Sequence, residues 1–196
     1  AHRAEAARFV AFSEQNLYDA ERGRYADVGM RSHRRSLVDT PMNHFAAHLS
    51  PDPVRRHRAA EALSPRGPFW GRFGLATVSP EEATFDPSRI WRGPIWMSIN
   101  YLCAEACWQM GARETADQIA ANSLEILRAN APWPNGIMEY YNFLTGEGSG
   151  AHHVATMGAA AFVSLFLGHY REVSDIGRDL PVASATTSGR RLVSAG

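Results

Sequence analysis

Two short aromatic stretches hold the residues best suited to chemistry. Glu139 stands in Met138-Glu139-Tyr140-Tyr141-Asn142, with Trp133 and Pro134 just upstream. A carboxylate in an aromatic, partly dry loop can hold a water molecule and take its proton; a Glu that caps a backbone turn is the commoner use of the same residue. The second stretch is Trp91-Arg92-Gly93-Pro94-Ile95-Trp96. Indole faces stack on sugar rings, and a guanidinium offers a fork of donors to hydroxyls or carboxylates. Together the stretches suit a carbohydrate cleft. Asn100 follows Trp96 by one helical turn and is either a buried hydrogen-bonding group or a cleft residue.

Other groups point less far. Glu147 lies in Gly146-Glu147-Gly148-Ser149-Gly150, but no strand precedes it and no phosphate-loop Lys follows, so nucleotide binding is disfavoured. His152 and His153 are adjacent, and neighbouring side chains seldom point at one ion. Cys103 and Cys107 share one helix face and read as small buried apolar residues. No Ser-His-Asp order or Gly-x-Ser-x-Gly elbow is present. No metal and no cofactor is expected. Asn142 and Thr145-Gly146 read first as turn formers.

Charge excludes some partners. Lys+Arg and Asp+Glu are 20 each, so nucleic acid and anionic membranes are not expected. No segment reaches the roughly 20 apolar residues of a membrane span. The start, Ala1-His2-Arg3-Ala4-Glu5, is charged and helical in pattern, unlike a signal peptide, and it lacks Met. The expectation is a piece of a longer, cytoplasmic polypeptide, since nothing demands an oxidising compartment.

The elements that must position these residues are helices. The spacing predicts an amphipathic helix over 2–17, with Ala6, Phe9, Val10 and Leu17 on one stripe. Further helices are expected over 36–49, with Pro41 in the first turn, and over 52–63, whose outer face Arg55, Arg56, His57 and Arg58 reads as solvated. Residues 64–94 form a long irregular stretch, a length more often functional than idle. Helices over 94–110 and 112–130, parted by Gly111, should pack as an antiparallel hairpin. A loop over 131–152 leads to a helix over 153–170, apolar nearly all round and so expected to be buried. From about Glu172 the composition turns to Ser, Thr, Gly and Arg, which predicts a disordered tail over 172–196. Short connections on one side and long polar-aromatic loops on the other suggest helical hairpins around an axis.

The ordered motifs resemble glycoside hydrolase family 63 and its relatives, the mannosylglycerate and glucosylglycerate hydrolases and oligosaccharide glucosidases. Trp91-Arg92-Gly93-Pro94-Ile95-Trp96 with Asn100-Tyr101-Leu102 matches the family's Trp-Arg-Gly-Pro stretch. Leu17-Tyr18-Asp19 through Asp27, Phe73-Gly74-Leu75 through Phe85-Asp86-Pro87, and Glu139 through Gly150-Ala151 match three further segments in order. The resemblance covers roughly residues 15–165.

It implies an all-α fold of helical hairpins, the C-terminal part of an (α/α)6 toroid occupying residues 1–171. It also implies an inverting glycosidase acting on a small α-glycoside or oligosaccharide. The family's general base falls on Glu139. The expected substrate-binding set is Trp91, Arg92, Gly93, Trp96, Asn100 and Tyr141. The family's general acid is an Asp in a Gly-Trp-Asp segment of the earlier half of the toroid, and this sequence has no such segment. The expected partner is therefore the N-terminal half of the toroid. Ile90 stands where the family usually has Tyr, Phe143 where it has Pro, and Val154-Ala155-Thr156 where it has Phe-Ser-Trp. A trehalase-like or debranching-type α-glucosidase, and a non-catalytic carbohydrate-binding half-toroid, stay open as alternatives.

Overall fold

A computed structural model describes residues 2–130, 136–150, 153–154 and 156–169. The predicted tail, Trp133, Pro134 and His152 lie outside the described residues. Six α-helices, α1 (His2–Asn16), α2 (Met42–Phe45), α3 (Pro53–Ala62), α4 (Met97–Gln109), α5 (Arg113–Asn130) and α6 (Thr156–His169), carry the described part of the fold. Four two-stranded ribbons lie in the connections. Three are antiparallel: β1 (Tyr18–Asp19) with β2 (Arg24–Tyr25), β3 (Trp70–Gly71) with β4 (Gly74–Leu75), and β6 (Tyr140–Tyr141) with β7 (Gly148–Ser149). The fourth pairs β5 (Gly136–Ile137) with β8 (His153–Val154) in parallel.

Helices α4 and α5 form the expected hairpin, and α6 packs against both. Gly111 makes the turn at φ +86°, and a Cβ there would meet nothing, so only the backbone angle asks for glycine. Leu63, Phe69, Leu75, Cys103, Cys107, Ile119 and Leu165 fill one part of the core. Ile95, Met97, Ile126, Tyr141 and Phe162 fill the other, directly behind the aromatic loops. Each large apolar side chain fully buried here contributes about 1.5–3 kcal/mol. Helix α3 starts where the residues dictate: the Asp52 carboxylate accepts the Val54 N–H at 2.8 Å and Pro53 occupies the first turn.

Four expectations are corrected. The helix over 36–49 begins only at Met42, and Ala46–Leu49 tighten into a 3-10 turn. Residues 36–40 form no regular element, and a residue before proline disfavours the helical region; the Asn43 carboxamide accepts the Thr40 N–H and closes the start. Arg55 is not a solvated charge: it pairs with Glu14 and Asp52 and lies 3.7 Å from the Tyr18 ring centroid. Helix α1 forms, yet none of its residues is buried. Its stripe residues Phe9, Val10 and Leu17 border a cavity of about 150 Å³ shared with Met42, Ala46 and Leu49. Helix α6 buries Ala161, Phe162 and Leu165 but exposes Met157, Val163 and Leu167, so only one face is covered. Among the described residues no helix is long and apolar enough to cross a membrane.

Candidate active site

The two aromatic stretches are one physical unit. The Ile95 N–H donates to the Tyr141 carbonyl at 2.8 Å, and the Tyr141 N–H returns to Ile95 at 2.9 Å. This isolated antiparallel bridge clamps the loop of Glu139 to the start of α4. Two more bonds tie the same loop to residues 85–92. The Asn142 amide donates to the Ser88 hydroxyl at 2.7 Å, and the Phe143 N–H donates to the Pro87 carbonyl at 3.2 Å.

The Trp-Arg-Gly-Pro stretch is held from beneath by Thr77. Its hydroxyl accepts the Gly93 N–H at 3.1 Å and donates to the Pro94 carbonyl at 3.1 Å. A Cβ on Gly93 would fall 2.6 Å from the Asp86 carbonyl oxygen and 2.7 Å from the Phe85 ring. The loop itself is a closed turn. The Asp86 N–H donates to the Arg92 carbonyl at 2.7 Å, and the Asp86 carboxylate accepts the Ser88 and Arg89 N–H groups.

The glycine-rich stretch after Glu139 serves close packing. A Cβ on Gly148 would sit 2.3 Å from the Met138 side chain; one on Gly150 would sit 2.6 Å from Glu139 Oε2. Gly150 therefore leaves the room in which the Glu139 carboxylate lies. Asn130, ending α5, grips this ribbon: its amide donates to the Gly146 carbonyl at 3.0 Å and its carbonyl accepts the Gly148 N–H at 3.2 Å. Phe143 is buried, seats on Gly71 and meets Phe85 edge-on at 5.6 Å. Gly71 thus accommodates the large ring that stands where the family usually has Pro.

The expected site residues divide into two groups. Glu139 is half-buried, and Trp91 and Arg92 are exposed. Trp96 is only 3% exposed, with Trp91 stacked on it at 3.9 Å and 13°, and Tyr140 at 5.6 Å and 22°. Gly93, Asn100 and Tyr141 lie in the interior instead. Asn100 has no exposed surface: its carbonyl accepts the Leu75 N–H at 3.2 Å and its amide donates to the Ser123 hydroxyl at 3.0 Å. Tyr141 is equally buried, its hydroxyl accepts the Met138 N–H at 3.1 Å, and burial raises its pKa. These three lie behind the wall: all are buried, and Asn100 and Tyr141 are bonded to protein groups there. Thr77, Ser88, Asn130 and Gly150 are the positioning residues that sequence reasoning missed.

The aromatic wall carries two local penalties. Trp91 adopts φ +60°, a region that costs a non-glycine residue about 1–3 kcal/mol. Among the described residues the Trp96 Nε1–H is buried without a hydrogen-bond partner, a loss of about 1–3 kcal/mol. The Trp91–Trp96 stack returns only about 0.5–1.5 kcal/mol beyond its burial. Burial favours the neutral thiol form of the two cysteines behind the wall, pushing Cys107 up to about 12 and Cys103 above its ordinary value. Among the described residues no group of three His, Cys, Asp or Glu is placed to hold a metal ion.

Helical hairpins with long aromatic loops gathered at one end define the all-α six-hairpin toroid glycosidases. Residues 1–155 match the mannosylglycerate hydrolase MGH1-like glycoside hydrolase domain, and the chain belongs to that family. The mannosylglycerate hydrolase of Thermus thermophilus is 32% identical over 105 residues, which span 52% of this chain and 24% of the relative. A crystal structure of the GH63 mannosylglycerate hydrolase from Thermus thermophilus in complex with glucose superposes with a TM-score of 0.65 at 26% identity, covering 79% of this chain and 37% of that one. The neutral trehalase of Saccharomyces cerevisiae shares the fold, with a TM-score of 0.60 at 15% identity over 83% of this chain and 30% of its own. The chain thus spans between about a sixth and about a third of the length of the curated relatives it matches.

Proposed function

We propose that this chain is the base-bearing part of an inverting glycoside hydrolase that acts on a small α-linked glycoside of the mannosylglycerate or glucosylglycerate type. In the mechanism, Glu139 takes a proton from water as that water attacks the anomeric carbon, and the bond to the leaving oxygen breaks on the opposite face. A second carboxylate, about 6.5–9.5 Å away, protonates the leaving oxygen. No Gly-Trp-Asp segment occurs in these 196 residues, so that acid belongs to the part of the toroid outside them. Trp96 and Tyr140 form the apolar wall for the sugar, Trp91 stacks over Trp96, and the exposed Arg92 is the donor at the rim. Two free buried thiols suit a reducing compartment, and we place the enzyme in the cytoplasm.

The observation that carries this reading is the Ile95–Tyr141 bridge. It fixes the half-buried Glu139 two residues from a backbone clamp on the aromatic wall. Positional fixing of this kind is what general-base catalysis needs. The test is hydrolysis of mannosylglycerate and glucosylglycerate by the full-length polypeptide, with the first-formed anomer read by proton NMR. The β anomer should appear first. Initial release of the α anomer would contradict inversion, and no release from either substrate would contradict the enzymatic reading in favour of a carbohydrate-binding toroid.

A further inference from the structure

We infer that Trp91 is a self-occluding cover: it occupies the face of Trp96 on which the substrate's sugar ring binds, and it must swing away before the sugar can enter. The inference rests on the carbohydrate-cleft reading above. Four observations carry it.

First, Trp91 lies almost parallel to Trp96 with ring centroids 3.9 Å apart, the separation at which a pyranose ring would otherwise stack. Trp96 is 3% exposed and Trp91 51%, so the inner ring is shut off while the outer one faces solvent. Second, among the described residues the Trp96 Nε1–H has no partner, and a buried indole N–H usually finds one. Once Trp91 leaves, a water or sugar hydroxyl can reach the edge of Trp96 and accept that hydrogen. Third, Trp91 sits at φ +60°, which a tryptophan rarely holds, so moving to an extended backbone relieves strain.

Fourth, the loop is built to let this one residue move. Asp86 and Arg92 close its base by the 2.7 Å bond, and the Gly93 N–H is fixed on Thr77. Among the described residues neither the N–H nor the carbonyl of Trp91 makes a backbone hydrogen bond. The Arg92 N–H is held on the Arg89 carbonyl at 2.9 Å, so the peptide that turns over is the one between Ile90 and Trp91, whose rotation resets the φ of Trp91 and leaves the joints at Arg92 and Gly93 in place. The covered and open arrangements therefore exchange at one residue, while the clamp between Ile95 and Tyr141 keeps the rest of the wall in place.

The experiment uses far-UV circular dichroism of the full chain, in which two stacked indoles give an exciton couplet, together with calorimetric titration by D-glucose and D-mannose. The Trp91→Gly variant accepts the same backbone angle without strain and supplies the control. The unliganded protein should show the couplet, Trp91→Gly should lack it, and a saturating sugar should collapse it. Trp91→Gly should also bind the sugar about tenfold more tightly, the gain expected when the competent state is a tenth of the population. A couplet that persists at saturation, or a variant that binds more weakly, overturns the cover while leaving the cleft reading intact. If neither sugar binds to either protein, the inference falls together with the cleft reading.

Discussion

Residues 2–63 and the loop cluster formed by 71–100 and 136–150 are held by different forces. The N-terminal region relies on charge. Arg24 and Asp39 meet at 2.5 Å, His44 Nε2 reaches the same carboxylate oxygen at 3.0 Å, and Glu14 joins Arg55 to Tyr25. Around these pairs the packing is open: α1 buries nothing and borders the 150 Å³ cavity. The loop cluster relies on neutral joints, the Ile95–Tyr141 bridge and the hydroxyl and carboxamide bonds of Thr77, Asn100 and Asn130, with glycines admitting their neighbours at close range. The catalytic role proposed for this wall needs fixed positions whatever the pH. Neutral hydrogen bonds in a dry setting supply that, whereas ion pairs tie stability to protonation and salt.

The largest effect should come from crowding the neutral cluster. Gly93→Ala drives a methyl into the Asp86 carbonyl and the Phe85 ring, and should destabilise by about 2–4 kcal/mol, the range of overpacking plus backbone strain. Thermal or urea unfolding measures it, and an unchanged midpoint would show that the loop is looser than its geometry.

Next comes the charged side. Burial alone would raise the Asp39 pKa, but His44 and Arg24 outweigh it and hold the carboxyl below 3.8. A carboxyl depressed in the folded state adds stability that is present above its unfolded pKa and is lost as pH falls through the folded value. Asp39→Asn leaves Arg24 buried and unpaired, so it should cost about 2–3 kcal/mol at neutral pH, under the figure for a fully buried pair. The gap between wild type and variant should close below pH 3.8. Urea titrations across pH check this, and a constant gap would show that the pair contributes nothing electrostatic.

The smallest effect belongs to Arg8 and Glu5, which meet at 2.7 Å on α1 with three quarters of each side chain in solvent. Glu5→Gln should leave the unfolding midpoint unchanged within error, as exposed pairs do. A clear loss would mean that α1 is more tightly built in than its exposure indicates.

Much of this contrast was legible in the residues. The α4–α5 hairpin announced itself through two long apolar patterns parted by Gly111. Glu139, Trp91 and Arg92 stood out because unusual residues in a fixed order carry information. The small polar positioning residues did not. Thr77 holds a backbone group 16 residues away and Ser88 an amide 54 residues away, and such distant pairing leaves no local spacing to read. Asn100 and Tyr141 drew attention as polar groups beside the motif, yet their partners, Ser123 and the Met138 N–H, turn them inward. Arg55 was misread for a related reason: the charge run around it looks solvated until Glu14, 41 residues earlier, is seen against it. Helix α6 is apolar all round in sequence, but the described chain offers neighbours for only one face.

The central claim, that Glu139 is a general base fixed to the aromatic wall, meets its most direct test in Glu139→Gln of the full-length polypeptide. The amide keeps the shape that Gly150 accommodates and removes the ability to accept a proton from water. With mannosylglycerate or glucosylglycerate as substrate, kcat should fall about 10²–10⁴-fold, while the unfolding midpoint and the Kd for D-glucose stay unchanged. A kcat within a few-fold of wild type would contradict the account.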